Sequence, residues 1–326
     1  MLDRRKVWGF FESPDAAERI EYLRQNGDCY PLHAVIHPTA ACGHSCGFCY
    51  HKESMSKRKT PLRSYEIEAG RAEDLILELY GLGTNNIILS GGGEPLKHPD
   101  IFRFVKAVNS TGAKSLMYSS LDAHISDNLA GEMAKLGGIG VNIDAVDAAT
   151  YKSLRGPHAD FETVSRNIKN LAAAGAKMYG TIIADGSEKD IQSTVEFCIQ
   201  NGMTGVNVSP SFGSRADIGK LEEIKAGFPR QPVRVVGPLE KAVEILGKKY
   251  CQSHRFDITI GSDHGVYPCC PTAYSEDFMI VNLLDFGSFS EAWNSQQRAK
   301  WLSQFEPSCE ECWFHPVNKK LAEMME

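Results

Sequence analysis

The 326 residues carry 35 lysines and arginines against 41 aspartates and glutamates, a formal net charge of −6. With 42% hydrophobic and 23% charged residues the chain can bury a sizeable core, which excludes a disordered or fibrous protein and disfavours a binder of nucleic-acid backbones. No segment holds the roughly 18 unbroken apolar residues of a membrane span, and Met1-Leu2-Asp3-Arg4-Arg5-Lys6 lacks the apolar core of a signal peptide, so a cytoplasmic protein without a membrane partner is expected.

Residues 1–33 read as a short extension with one amphipathic helix around Ala16 to Arg24. From Ala34 onward, short apolar runs alternate with helical patterns, as βα units do. Strands are predicted at Ala34–His37, Asn86–Ser90, Ser115–Ser119, Gly140–Asp144, Lys177–Ile183 and Gly205–Ser209. The helices between them carry apolar stripes such as Leu75, Ile76, Leu79 and Leu82, and Gly137, Gly175 and Gly202 stop three of them. The predicted fold is α/β, a partial (β/α)6 TIM-like barrel over 34–213. The rhythm fails after Ser209. Residues 214–250 read as a linker and a helix over Leu239–Lys249. Residues 251–326 read as a small domain, with a hairpin (Arg255–Ile260, Val266–Cys269) and a helix over Phe289–Gln304 capped by Ser288 and Glu291.

Ten cysteines in an unexported chain of this size point to metal, cluster or redox chemistry rather than to disulfides. Cys42, Cys46 and Cys49 stand at offsets of 4 and 3 in a glycine-containing loop after the first strand. One βα unit later, Ile87-Ile88-Leu89-Ser90-Gly91-Gly92-Gly93-Glu94-Pro95 is a buried strand ending in three glycines and a carboxylate; such glycines let a backbone approach a ligand closely. Cys198 lies on an apolar helix stripe and reads as core. Cys29 has no partner in the sequence.

The three-thiol spacing, with Phe48 just before the last cysteine, resembles the cluster loop of the radical S-adenosylmethionine (SAM) enzymes. That resemblance implies a 4Fe-4S cluster held by Cys42, Cys46 and Cys49 with one iron open to SAM, and a 5′-deoxyadenosyl radical that removes a hydrogen atom from an unactivated C–H bond. It further implies SAM contacts from Gly91, Gly92, Gly93 and Glu94, an adenine near Phe48, polar contacts from Ser119, Asn142 and Asp144, and a carboxylate partner for Arg155. Cys251, Cys269, Cys309 and Cys312, at offsets of 18, 40 and 3, are similar to the Twitch extension, a shortened SPASM domain holding an auxiliary 4Fe-4S cluster. A one-electron reductant such as flavodoxin or ferredoxin is the implied protein partner.

The layout is similar to carbohydrate- and aminoglycoside-acting members of the family. Cys270, beside an expected ligand and unable to face the same iron from a strand, is a spare thiol suited to give a hydrogen atom back to a substrate radical. This favours an epimerase acting on a sugar or aminocyclitol, with Cys198 as the fallback donor. Three other readings stay open: a dehydrogenase that passes an electron to the auxiliary cluster, an enzyme acting on ribosomal peptides, and a non-enzymatic zinc-binding module.

Overall fold

The computed structural model describes residues 14–52, 65–185, 188–211, 218–236, 251–306, 312, 314, 318, 319 and 321. The predicted helix at Leu239–Lys249 and Cys309 lie outside these residues.

Helix α1 (Pro14–Asn26) precedes strand β1 (His33–Ile36). Five helix–strand units follow: α2 (Ala69–Gly81) and β2 (Asn86–Leu89), α3 (Ile101–Ser110) and β3 (Lys114–Ser119), α4 (Asp127–Met133) and β4 (Gly138–Asn142), α5 (Ala148–Arg155) and α6 (Phe161–Ala173) before β5 (Met178–Ala184), and α7 (Glu188–Gln200) before β6 (Val206–Pro210). All six predicted barrel strands are present and pair in parallel, in order from β1 to β6.

The rhythm extends one unit further than the sequence reading allowed. Helix α8 (Ile218–Ala226) leads to β7 (Val233–Val235), which pairs in parallel with β6. Three residues between prolines and glycines give too short an alternation to register as a strand; its pairing with β6 supplies what the sequence pattern lacks.

Beyond Cys251 come β8 (Asp257–Ile260), β9 (Gly265–Tyr267) and β10 (Val281–Asn282). The hairpin is present, and its first strand lies beside β1 in parallel, His33 opposite Asp257 and Ile36 opposite Ile260. One ten-stranded sheet therefore runs β10-β9-β8-β1-β2-β3-β4-β5-β6-β7. The predicted C-terminal helix is two helices, α9 (Phe289–Trp293) and α10 (Gln296–Gln304). The break falls at Asn294, because Ser295 is itself an N-cap whose Oγ accepts from the Arg298 N–H. Ser288 caps α9 through the Glu291 N–H, but Glu291 returns its carboxylate to Gly287 N rather than to Ser288.

Register sorts the side chains. Ile36, Leu89, Met117, Val141 and Ile182 face the helices and form the main core. Cys198 belongs to that layer, fully buried, and a Cβ at Gly180 would lie 2.6 Å from its sulfur. Thr259, Val35, Ile88, Tyr118, Asn142 and Thr181 share the opposite, inner face, so Cys198 does not reach it. On that face Tyr118 and Tyr179 meet edge to face, 6.0 Å apart, over Gly140, where any Cβ would collide with Tyr118. A cavity of about 290 Å³ opens between these tyrosines, Leu116, Asn207 and Arg234.

The C-terminal segment is tied to the rest at several points. Glu78 of α2 accepts from the Phe289 and Ser290 amides at 2.8 Å each. Arg298 lies over the Trp293 ring at 3.7 Å and is paired with Asp28. Cys29 sits in this seam, its thiol donating to Arg255 O, which gives it a packing role.

Asp257 and His33 are both buried on the inner face, 3.9 Å apart. Burial pushes the Asp257 carboxyl up to about 8 and pulls His33 down to about 4. The folded chain therefore keeps the Asp257 proton up to about pH 8, whereas the unfolded chain releases it near 3.8. Between those values the folded state binds more protons, so this group makes stability fall as pH rises. Asp257→Asn should remove a loss of about 1 kcal/mol per pH unit between pH 6.5 and 8, read as a flatter dependence of the unfolding midpoint on pH than in the parent chain.

Candidate active site

Cys42, Cys46 and Cys49 lie in the loop that leaves the C-terminal end of β1, the end of a barrel where ligands gather. All three are partly accessible. Burial pushes the Cys46 thiol up to about 11, and ionised Cys49 and Cys42 add to that, while Arg155 opposes them. Burial raises Cys42 as well, opposed by the His44 N–H that meets its sulfur at 3.4 Å.

The glycine-rich turn after β2 docks directly onto this loop. Gly93 N donates to Thr39 O and Glu94 N to Ala41 O, and a Cβ at Gly93 would stand 2.2 Å from Ala41 O. Glycine is thus required at 93 for the turn to reach the thiol loop. Glu94 is buried and its acceptor sites are filled: Oε1 takes Ser119 Oγ–H at 2.6 Å and the Leu96 N–H, and Oε2 takes the Ser120 N–H and Oγ–H. Ser119, singled out for its own polarity, is bound to Glu94. The two serines fix the carboxylate in place.

Asp144 and Arg155 form a buried ion pair at 2.5 Å, with Asp144 also accepting from Ile183 N. Burial works against the Arg155 charge, but Asp144 more than compensates and holds it protonated. Arg155 then grips the thiol loop from three sides. Its carbonyl accepts from Ser45 N at 2.8 Å, its Nη1 lies 3.4 Å from His44 Nδ1, and its guanidinium stands 5.9 Å from the Phe48 ring. His44 Nε2 in turn meets Asp122 Oδ2 at 2.7 Å. Asn142 is partly exposed at the inner end of β4, next to Thr181 of β5, whose buried hydroxyl has no hydrogen-bond partner among the described residues.

The C-terminal thiols form a second group. Asn318 accepts from Gln252 N and Ser253 N and donates toward Cys312 Sγ, so it bridges the Cys251 segment to Cys312. Cys269 and Cys270 face different partners: Cys269 is extended (φ −170, ψ 166) with its sulfur 3.5 Å from Thr272 Oγ1, whereas Cys270 opens a 3₁₀ turn and accepts from Thr259 Oγ1 at 3.3 Å. The separation expected of a strand arises here from the turn that follows β9.

Residues 36–198 match the Radical SAM superfamily. The chain belongs to the radical SAM superfamily. Residues 251–313 match the SPASM iron-sulfur cluster-binding domain. The AdoMet-dependent heme synthase of Methanosarcina barkeri is 26% identical over 227 residues, covering 68% of this chain and 62% of that protein. The GTP 3′,8-cyclase of Chlorobaculum tepidum is 23% identical over 171 residues, 51% of this chain and 49% of that one. The chain thus spans less than two thirds of these curated relatives. Streptococcus suis SuiB, solved with its precursor peptide SuiA, shares the fold with a TM-score of 0.69 at 16% identity, over 89% of this chain and 71% of SuiB.

A radical SAM chain with a SPASM-type domain carries a SAM-binding 4Fe-4S cluster, SAM and auxiliary iron-sulfur centres, and the residues present fit them. Burial and neighbouring thiolates raise Cys42 and Cys46 within one short loop, and a cationic cluster stabilises such a donor set. Among the described residues no three His, Cys, Asp or Glu side chains converge on one point. No helix among the described residues is long and apolar enough to cross a membrane.

The clamping partners were the residues least visible in the sequence. His44 lies inside the cysteine loop, but its partner Asp122, 78 positions on, and Asn318, outside every motif, carry no signal of their own. Only their types, an imidazole, a carboxylate and an amide near cysteines, could have flagged them.

Proposed function

We propose that this radical SAM enzyme epimerises a carbon of a small hydroxyl-rich substrate, a sugar or aminocyclitol, with Cys270 returning the hydrogen atom. The observation that supports it is the setting of Cys270. The residue is half-buried, and its sulfur accepts from Thr259, a residue of the inner barrel face beside Val35. The hydroxyl and amide groups of Thr181, Asn142 and Asn207, on the same inner face of the sheet, suit a substrate rich in hydroxyls.

The cluster and SAM together supply the 5′-deoxyadenosyl radical. The chain's own residues then set the outcome. Abstraction breaks a substrate C–H bond and leaves a carbon radical; return from Cys270 forms the new C–H bond, breaks S–H and leaves a sulfur radical. One electron, from a reductant of the flavodoxin or ferredoxin class, and one proton restore the thiol.

The test is anaerobic turnover of candidate sugars and aminocyclitols in heavy water. One deuterium should appear at a single inverted carbon, and Cys270→Ala should form 5′-deoxyadenosine but lose epimer by at least about 100-fold. An oxidised product without solvent deuterium would replace this reading with a dehydrogenase using the auxiliary cluster as electron acceptor. Modification of a peptide and of none of the sugars would move the substrate to the class that SuiB binds.

A further inference from the structure

We propose that the loop following Cys269 and Cys270 holds the glycine-rich turn in its SAM-binding shape through Tyr274, so that the auxiliary centre and the SAM site are energetically coupled. This rests on the reading that Gly91–Gly93 contact SAM.

Tyr274 comes two residues after the short turn Cys270–Thr272. Its backbone is left-handed, with φ +68, a conformation that a tyrosine keeps only where its surroundings over-determine it. Those surroundings are complete. The side chain is 1% exposed, and its hydroxyl lies 3.1 Å from His37 Nδ1 and 3.2 Å from Ser262 Oγ. A Cβ at Gly92 would fall 2.2 Å from that hydroxyl and 2.3 Å from a ring carbon, and one at Gly261 would fall 3.2 Å from the ring. The middle glycine of the turn is thus shaped to the tyrosine, and neither can shift without the other.

His51 closes the group. It lies two residues beyond Cys49, is 2% exposed, and stands edge-on to both His37 and Tyr274 with 5.4 Å between ring centroids in each case. Neither of its ring nitrogens has a hydrogen-bond partner among the described residues, so it acts by packing. Three rings therefore join the thiol loop (His51), the end of β1 (His37) and the auxiliary loop (Tyr274) beneath Gly92. A displacement of the Cys269 segment reaches the glycine turn through one rigid side chain. Tyr274 is a positioning residue: it touches the turn, not the cofactor.

The test uses the anaerobically reconstituted full chain. SAM affinity is read from the change that SAM produces in the electron paramagnetic resonance spectrum of the reduced SAM-binding cluster, with iron content and the auxiliary signal as controls. Tyr274→Phe keeps the ring and deletes the buried hydrogen bonds of the hydroxyl to His37 and Ser262; it should weaken SAM binding by about 3–10-fold with iron unchanged. Cys269→Ala, lacking the auxiliary centre, should weaken it by a similar factor, and the pair together by no more than either alone.

Gly92→Ala separates the two readings. It should weaken SAM binding by more than about tenfold, and Tyr274→Ala in that background, which vacates the space, should recover part of the loss. An unchanged affinity in Gly92→Ala would overturn the assignment of the turn to SAM. A weakened Gly92→Ala with no recovery, together with a Tyr274→Phe within twofold of the parent, would overturn the coupling alone.

Discussion

Alanine at Cys42, Cys46 or Cys49 should end SAM cleavage outright while leaving the second iron-sulfur centre in place. The three thiols share a loop of eight residues, and Cys46 is already held near a pKa of about 11 by burial and by its two neighbours. Only a cationic partner makes three thiolates at such spacing favourable, and two thiolates cannot hold a cubane that also offers an open iron. The parent chain, reconstituted without oxygen, should carry about eight irons and each variant about four. 5′-Deoxyadenosine, measured by chromatography under strong reductant, should fall to background in all three variants. Cleavage surviving in any of them would remove this loop from the chemistry.

The second large effect is expected at Arg155. Replacement by methionine takes the cation away from buried Asp144, whose remaining hydrogen bond among the described residues is from the Ile183 amide. Removing one partner of a buried pair costs about 3–5 kcal/mol, whereas replacing both with apolar or neutral groups costs far less. Arg155→Met should therefore lower the unfolding midpoint sharply, and Asp144→Asn combined with Arg155→Met should recover most of the loss. A second readout follows from geometry: Arg155 supports His44 and Phe48 with its side chain. The single variant should load less iron on the thiol loop than the parent chain does, with loading of its C-terminal thiols unchanged. Equal midpoints for parent and Arg155→Met would show that the pair contributes nothing.

The barrel was legible because each strand from β1 to β6 is a short apolar run bounded by turn residues, a pattern set by local chemistry. What lay beyond reach was pairing between distant segments. Nothing in Asp257–Ile260 says that it will lie beside His33–Ile36, more than 200 positions earlier. The helix break at Asn294 escaped because the apolar period continues across it, and only the cap at Ser295 marks the stop.

At the site, residue types were readable and their partners were not. Asp144 and Arg155 each stood out as a contact for a ligand, and the fold gives them to one another. Ser119 and Glu94 were likewise read separately and are joined at 2.6 Å. In each case a polar side chain at a strand end announced itself, while the identity of its neighbour depended on the curvature of the sheet. The cysteine spacings were readable for the opposite reason: cluster ligation fixes them within one loop.

The parallel pairing of β8 with β1 makes the segment from Cys251 onward a guard for the rest of the molecule. A chain ending before Cys251 would leave the apolar run His33–Ile36 as a bare sheet margin with its amides and carbonyls open to other chains, a template for aggregation. Loss of the extension would thus be felt first as insolubility rather than as inactivity, and the segment that brings the second set of thiols also keeps the catalytic half in solution.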